Sequence, residues 1–295
     1  MKPEPIVAAV DAGGTSLKCA LVKADGALIG SWRVPTTTPE ETLSACAVAF
    51  REMAQAKNVD PIALGIASFG PVDIDPTSSS FGTITGTAKP GWERAPIGPY
   101  LSKALGVPLY LDTDVNAALL AEFKWGAAKS LRSAAYMTVG TGIGVGICIN
   151  GQLLGQPTHP EFGHIRVARH PNDQTFTGTC ALHGDCLEGL ASAQSFEARW
   201  GDPAVKPVDH PAWEIEAYYL AQACINLYLM SRLDRIIIGG GLLQADHLYA
   251  RVAVAFDTMM SDYLPVNGAE LITAPGLGEH AGVLGGAVLA LEAFN

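Results

Sequence analysis

Ile6-Val7-Ala8-Ala9-Val10-Asp11-Ala12-Gly13-Gly14-Thr15-Ser16-Leu17-Lys18-Cys19-Ala20-Leu21-Val22 is the stretch from which the fold is read. Its apolar runs, Ile6–Val10 and Leu17–Val22, are of strand length, and Leu28–Val34 reads as a third strand. Between the first two, the pair Gly13-Gly14 lets successive backbone N–H groups converge into an anion-binding concavity, which the Thr15 hydroxyl extends. Asp11, at the strand end, is placed to hold Mg²⁺ directly or through water. This is no P-loop, because no Gly-Lys-Ser/Thr follows and the next element is a strand. A plain hairpin turn with a polar lip fits the same residues.

The order then recurs. Ala134–Val139 and Ile143–Ile149 read as strands joined by Gly140-Thr141-Gly142, with the glycines continuing to Gly144 and Gly146. The run fails the dinucleotide fingerprint in spacing, and the second strand closes at the Asn150-Gly151 turn. Two strand–glycine loop–strand units imply two similar α/β half-folds, each presenting a phosphate loop to a shared cleft.

Around these hairpins the periodicity alternates. Pro39 to Asn58 is an amphipathic helix with Leu43, Ala47, Phe50 and Ala54 on one face. Ile62–Phe69 returns as a strand, followed by a loop holding Asp73, Asp75 and Ser78–Ser80. Next comes Gly82-Thr83-Ile84-Thr85-Gly86-Thr87-Ala88-Lys89-Pro90-Gly91-Trp92, whose glycines, hydroxyls and tryptophan suit a sugar, although an ordinary Gly/Pro loop has the same composition. Val107–Leu111 is a strand leading into Asp112-Thr113-Asp114-Val115-Asn116 and a helix to Trp125, with Val115, Leu119 and Phe123 facing the core. Asp114 thus falls in a first helical turn at a strand end, where the helix dipole favours a carboxylate and α/β ligands bind. A capping or solvated Asp is the competing reading. Helices are expected at Leu187–Trp200, Trp213–Met230, Asp246–Tyr263 and His280–Phe294. Arg235–Ile238 is a buried strand ending in Gly239-Gly240-Gly241-Leu242-Leu243, where backbone can lie flat on a purine or simply turn into a helix.

A third cluster is of another kind. Cys180, His183 and Cys186 are spaced three apart, downstream of His159-Pro160-Glu161-Phe162-Gly163-His164. Two thiolates and two imidazoles make a closed tetrahedral Zn²⁺ set, with His164 as fourth ligand and His159 or His170 able to replace it. Glu161 and Glu188 are interleaved with these ligands, and no zinc site of this type requires them. A metal clip with acids beside it reads as the floor of a polar-ligand pocket.

The totals bound the rest. At 295 residues and 48% hydrophobic, the chain suits about two globular domains. A net charge of −10 argues against nucleic acid or an anionic membrane as partner. Cys19, Cys46, Cys148 and Cys224 sit singly in apolar stretches, as buried free thiols in a reducing cytoplasm do. The apolar run before Asp11 is too short for a signal peptide, and no run is long enough to cross a bilayer.

Taken together, Asp11–Thr15, the Val139–Gly146 loop, Glu161–His164, the Cys/His/Cys clip, Cys186-Leu187-Glu188 and Gly239–Gly241 resemble the ROK family of repressors, open reading frames and sugar kinases. Ala67-Ser68-Phe69-Gly70-Pro71-Val72-Asp73, Lys89–Trp92, Thr113–Asn116, His159-Pro160-Glu161 and His183 look most like its bacterial zinc-containing fructokinases. The resemblance implies two ribonuclease-H-like α/β domains of the actin and hexokinase type around a central cleft, with a zinc clip and a last helix crossing back to the first domain. The domains would comprise residues 1–113 plus 281–295, and 114–280. It implies an ATP:D-fructose 6-phosphotransferase, cytoplasmic and homodimeric, with hexose and ATP as its small-molecule partners.

Carried over, the resemblance makes Asp114 the general base and puts Asp11, with Gly13, Gly14 and Thr15, on the Mg·ATP side. Gly140, Thr141, Gly142 and Gly144 would hold phosphates, and Gly239, Gly240, Gly241, Leu242 and Leu243 would line the adenosine site. Gly86, Lys89, Thr113, Glu161, His164 and Glu188 would bind the sugar, with His164 also a zinc ligand beside Cys180, His183 and Cys186. Thr113 stands where many relatives place Asn, Ala181 replaces a usual proline, and Ala88 and Val145 replace commoner residues. A kinase for glucose, mannose or N-acetylmannosamine is the alternative enzyme. A repressor of the family needs a helix-turn-helix before the first loop, for which ten residues leave no room. An actin-like assembly ATPase has no use for the clip and its acids.

Overall fold

The computed structural model describes residues 4–87 and 89–292. By contact the chain forms one unit from Met1–Lys129, Gly155–His159 and Glu279–Asn295, and a second from Ser130–Leu154 and Pro160–Gly278.

In the first unit the chain runs β1 (Ile6–Ala12), β2 (Ser16–Lys23), β3 (Leu28–Pro35), α1 (Pro39–Lys57), β4 (Leu64–Ser68), α2 (Ile97–Leu105), β5 (Leu109–Thr113) and α3 (Asp114–Trp125). Thr38 caps α1 by accepting the Glu41 N–H, Pro39 opens it, and Asn58 ends it at φ 51°. The sheet order is β3-β2-β1-β4-β5, antiparallel through β1–β3 and parallel from β1 to β5. Register brings Ala12, Ser68 and Thr113 side by side, so three carboxyl strand ends lie level. Leu17, Leu21, Phe50, Ile66 and Trp92 are fully buried in its core.

The second unit holds β6 (Ser133–Val139), β7 (Ile143–Ile149), β8 (Gln152–Leu153), α4 (Leu187–Ala191), α5 (Ala193–Trp200), α6 (Ala212–Ser231), β9 (Arg235–Gly239), α7 (His247–Met260), α8 (Gly268–Leu271) and β10 (Ile272–Thr273). Its sheet order β10-β9-β6-β7-β8 repeats the first: an antiparallel three-strand meander, then two parallel strands added to its leading strand. Phe196, Trp213, Tyr219 and Phe256 fill its core. The chain then returns to the first unit as α9 (Ala281–Glu292). The duplicated α/β architecture read from the two glycine hairpins is present.

Several elements differ from the sequence reading. The expected helix Leu187–Trp200 is two helices, because Ser192 is extended and its side chain caps α5 through the Ser195 N–H. Helix α2 has no counterpart in the sequence reading, because Gly98 and Pro99 in its first turn hide it. The strand expected at Val107–Leu111 lies at Leu109–Thr113, which moves Asp112 and Thr113 into the sheet. Phe123 is only half-buried, whereas Asn116 and Glu122 of α3 are fully buried. The expected end of the last helix at Phe294, and Ala88 in the sugar loop, lie outside the described residues.

The first unit also runs to Lys129 where the sequence reading drew its boundary at 113, because α3 packs on α9. A Cβ added at Gly285 would come within 2.4 Å of the Ala117 backbone, and one at Gly65 within 1.8 Å of the Gly286 carbonyl. Glycine alone lets α9 lie this close to α3 and β4. Among the described residues no helix is long and apolar enough to cross a membrane.

Candidate functional site

Asp114 opens α3 directly beyond β5, and its Oδ1 accepts the Val115 N–H at 2.9 Å. Burial pushes its carboxyl up to about 7, and the negative charge of Asp11 adds to the rise. A carboxylate with that value is matched to accept a proton near neutral pH. Asp11 is itself raised by burial, with Lys18 pulling back from 3.6 Å across the β1–β2 pair. The first unit therefore brings Asp11 and Asp114 together at the level strand ends.

The adjoining loop is tied from both sides. Gly13 N–H donates to the Ser16 carbonyl at 3.1 Å, and Thr36 Oγ1 donates to the Gly13 carbonyl at 3.0 Å. Lys89 Nζ donates to the Gly14 carbonyl, so the loop containing Gly86 and Lys89 is joined to the Gly13–Thr15 turn. Thr113 is 4% exposed and its Oγ1 accepts the Asn116 N–H at 3.2 Å as the cap of α3. Trp92 does not present its face as a sugar cover: it is fully buried, its Nε1 donates to the Thr37 carbonyl, and Phe69 packs edge-on against it.

In the second unit the Ile143 backbone is the meeting point. Glu188, in the first turn of α4, accepts the Ile143 N–H on Oε2 at 3.0 Å. A Cβ at Gly142 would lie 2.5 Å from that oxygen, and one at Gly163 only 1.9 Å from the Ile143 carbonyl. The Gly140–Gly144 loop, the short turn Phe162–His164 that Glu161 precedes, and Glu188 are thereby gathered. Gly140 is held by its N–H on the Gly142 carbonyl and its own carbonyl on the Ala193 N–H. Gly239–Gly241 closes β9, but Leu242 and Leu243 are buried in this unit's core, so what they offer a ligand is backbone.

His164, Cys180, His183 and Cys186 present ligand atoms that all lie within 4.8 Å of one another. His164 Nδ1 is 3.5 Å from Cys186 Sγ and 3.8 Å from Cys180 Sγ, and His183 Nδ1 is 3.7 Å from Cys180 Sγ. A tetrahedron with bonds of about 2.3 Å to sulfur and about 2.0 Å to nitrogen has edges of roughly 3.3–3.8 Å. Four soft donors at that spacing fit one Zn²⁺. The loop is braced by Arg166 and Arg169 on Asp185 and by paired backbone bonds between Cys180 and Gly184. His170 stands apart, its Nδ1 accepting the Asn172 N–H and its ring edge-on to Tyr218, and His159 packs with the first unit.

Sequence reasoning missed the pairing at Asp112, whose carboxylate accepts from Asn116 Nδ2 and from Gln156 Nε2 two residues before Asp114. It also missed Ile143, which acts through its backbone and leaves no side-chain signal.

The profile described as "ROK family" matches residues 7–293. The chain is 41% identical to the fructokinase of Zymomonas mobilis over 297 residues, covering 98% of each. It is 38% identical to the fructokinase of Streptococcus mutans over 286 residues, covering 95% of this chain and 96% of that one. The crystal structure of the ROK hexokinase from Thermus thermophilus superposes with a TM-score of 0.79 at 26% identity, covering 98% and 99% of the two chains.

Proposed function

The chain belongs to the ROK family, and from that membership we propose that it is an ATP-dependent fructokinase, transferring the γ-phosphoryl group of Mg·ATP to the 6-hydroxyl of D-fructose. The carrying observation is Asp114, a carboxylate at a helix start whose proton affinity is raised to about 7. Fructose as acceptor is supported by 41% and 38% identity to fructokinases over nearly the whole chain.

Phosphoryl transfer needs positioned phosphates and an oriented hydroxyl more than covalent chemistry. Asp114 accepts the proton of the attacking hydroxyl. Asp11, raised in proton affinity and facing Lys18, would hold Mg²⁺, which neutralises phosphate charge when bound. Gly13, Gly14, Thr15 and the Gly140–Gly144 loop offer backbone N–H groups to phosphates, and Gly239–Leu243 offers backbone to the adenosine. Glu161, His164 and Glu188 orient sugar hydroxyls in this reading, and the resemblance also assigns Lys89, Gly86 and Thr113 to the sugar. Thr113 can bind it with its hydroxyl proton and one lone pair, the other lone pair being taken by its capping bond.

His164, Cys180, His183 and Cys186 would hold one structural Zn²⁺, leaving no open position for a reactive water. All six cysteines are unpaired thiols, which suits a reducing cytoplasm, and a homodimer is the assembly that the resemblance implies.

Purified protein incubated with Mg·ATP and D-fructose should yield ADP and a sugar monophosphate whose phosphorus couples to the C6 protons by NMR. A product esterified elsewhere, or no fructose-dependent ADP, would refute the assignment.

A further inference from the structure

Gln156 lies on Gly155–His159, a short segment that packs with the first unit although the chain on either side belongs to the second. Its Nε2 donates to Oδ2 of Asp112 at 2.8 Å, across 44 residues of sequence. Asp112 is 4% exposed in β5. Its Oδ1 accepts the Thr113 N–H at 2.7 Å and Asn116 Nδ2 at 2.8 Å. Asn116 is fully buried in the first turn of α3.

One carboxylate therefore clamps the strand–helix corner on one oxygen and the distant segment on the other. Gln156 is the hydrogen-bond donor to Oδ2 among the described residues. Burial raises the Asp112 carboxyl, and Asn116, Thr113, Gln156 and the charge of His159 pull back, so this segment supplies two of the groups that favour its ionised form. The corner so clamped carries Asp114, two residues beyond Asp112. The segment so held runs five residues later into Glu161.

We propose that Asp112 and Gln156 are positioning residues for the transfer: their bond fixes the strand–helix corner that aims Asp114. This rests on the reading of Asp114 as the base. Asp112 touches no reacting atom in this account and acts through Asp114. Misplacing a catalytic group by about 1 Å can lower turnover by roughly 10²-fold.

Gln156→Glu would set two carboxylates against each other at the latch. Because Gln156 is exposed, the melting temperature should stay within about 2 °C of wild type while kcat falls roughly tenfold or more and the fructose KM moves less than about threefold. The double variant Asp112→Asn/Gln156→Glu restores an amide–carboxylate pair with donor and acceptor exchanged, and keeps an oxygen for Thr113 and Asn116. It should recover kcat to within about threefold of wild type. A Gln156→Glu enzyme with wild-type kcat, a loss the double variant does not recover, or a loss that tracks a lowered melting temperature would each overturn the proposal. Asp114→Asn measured alongside separates the two claims. Full turnover there removes the base assignment, whereas an inactive Asp114→Asn beside a normal Gln156→Glu removes the latch alone.

Discussion

Among single residues, the proposed transfer depends most on the proton affinity of Asp114. A base held at about 7 makes kcat/KM rise with pH through about 7 and level off above it, with the slope carried by this carboxyl. Asp114→Asn keeps the size and loses the acceptor, so kcat should drop by roughly 10²–10⁴ with fructose affinity little changed. The same shift has a stability sign. In the unfolded chain this carboxyl titrates near 3.9. Between about 4 and about 7 the folded chain keeps a proton that the unfolded chain has lost, so stability falls as pH rises across that window. Relative to wild type, Asp114→Asn should therefore melt higher at pH 8 and about equally at pH 3.5. A difference that is the same at both values would contradict the shift. Asp114 was legible in sequence because a strand end, a first helical turn and an acid coincide there. Its partners Asp112 and Gln156 were not, since a bond across 44 residues leaves no local period. Trp92 was misread for a related reason: composition shows an aromatic in a sugar-like loop, but not that its indole N–H is spent on Thr37 in the core.

At the scale of elements, α4 and the β6–β7 turn act as one piece, because Glu188 fills the space beside Gly142 and takes the Ile143 N–H. Gly142→Ala would drive a methyl group to within 2.5 Å of Glu188 Oε2, so that side chain must leave. The expected result is a fructose KM or ATP KM raised roughly tenfold, with a melting temperature within a few degrees of wild type. Unchanged constants would show that Glu188 has no part in binding. The Cys/His loop makes a second element, and its short Cys-x-x-His-x-x-Cys spacing is what makes it legible in the sequence. Elemental analysis should find one zinc per chain, and Cys186→Ser should lose metal, stability and activity together. Full activity without zinc would contradict a structural metal. The break at Ser192 was hidden because apolar positions run through it. The capping bond to the Ser195 N–H and the Ala193 N–H on the Gly140 carbonyl hold the break there.

At the scale of the molecule, one topology is used twice, with a glycine turn after the leading strand of each sheet. That repetition was legible because each turn joins two apolar runs of strand length. The seam of Gly65, Gly285 and Gly286 that seats α9 was not, since glycines inside a helix and a strand read as weak points until a second backbone is seen to need the space. Nor does topology choose the sugar. Two acids and a histidine in the second unit suit several hexoses, and a site that hydrogen-bonds particular hydroxyls can reject a sugar lacking them by orders of magnitude. Fructose as the acceptor is tested by comparing sugars. Fructose-, glucose-, mannose-, N-acetylmannosamine- and N-acetylglucosamine-dependent ADP release should be measured at matched concentrations, with kcat/KM obtained for each. Fructose should rank first. A higher kcat/KM for glucose or for an amino sugar would contradict the claim, leaving a ROK kinase of different specificity.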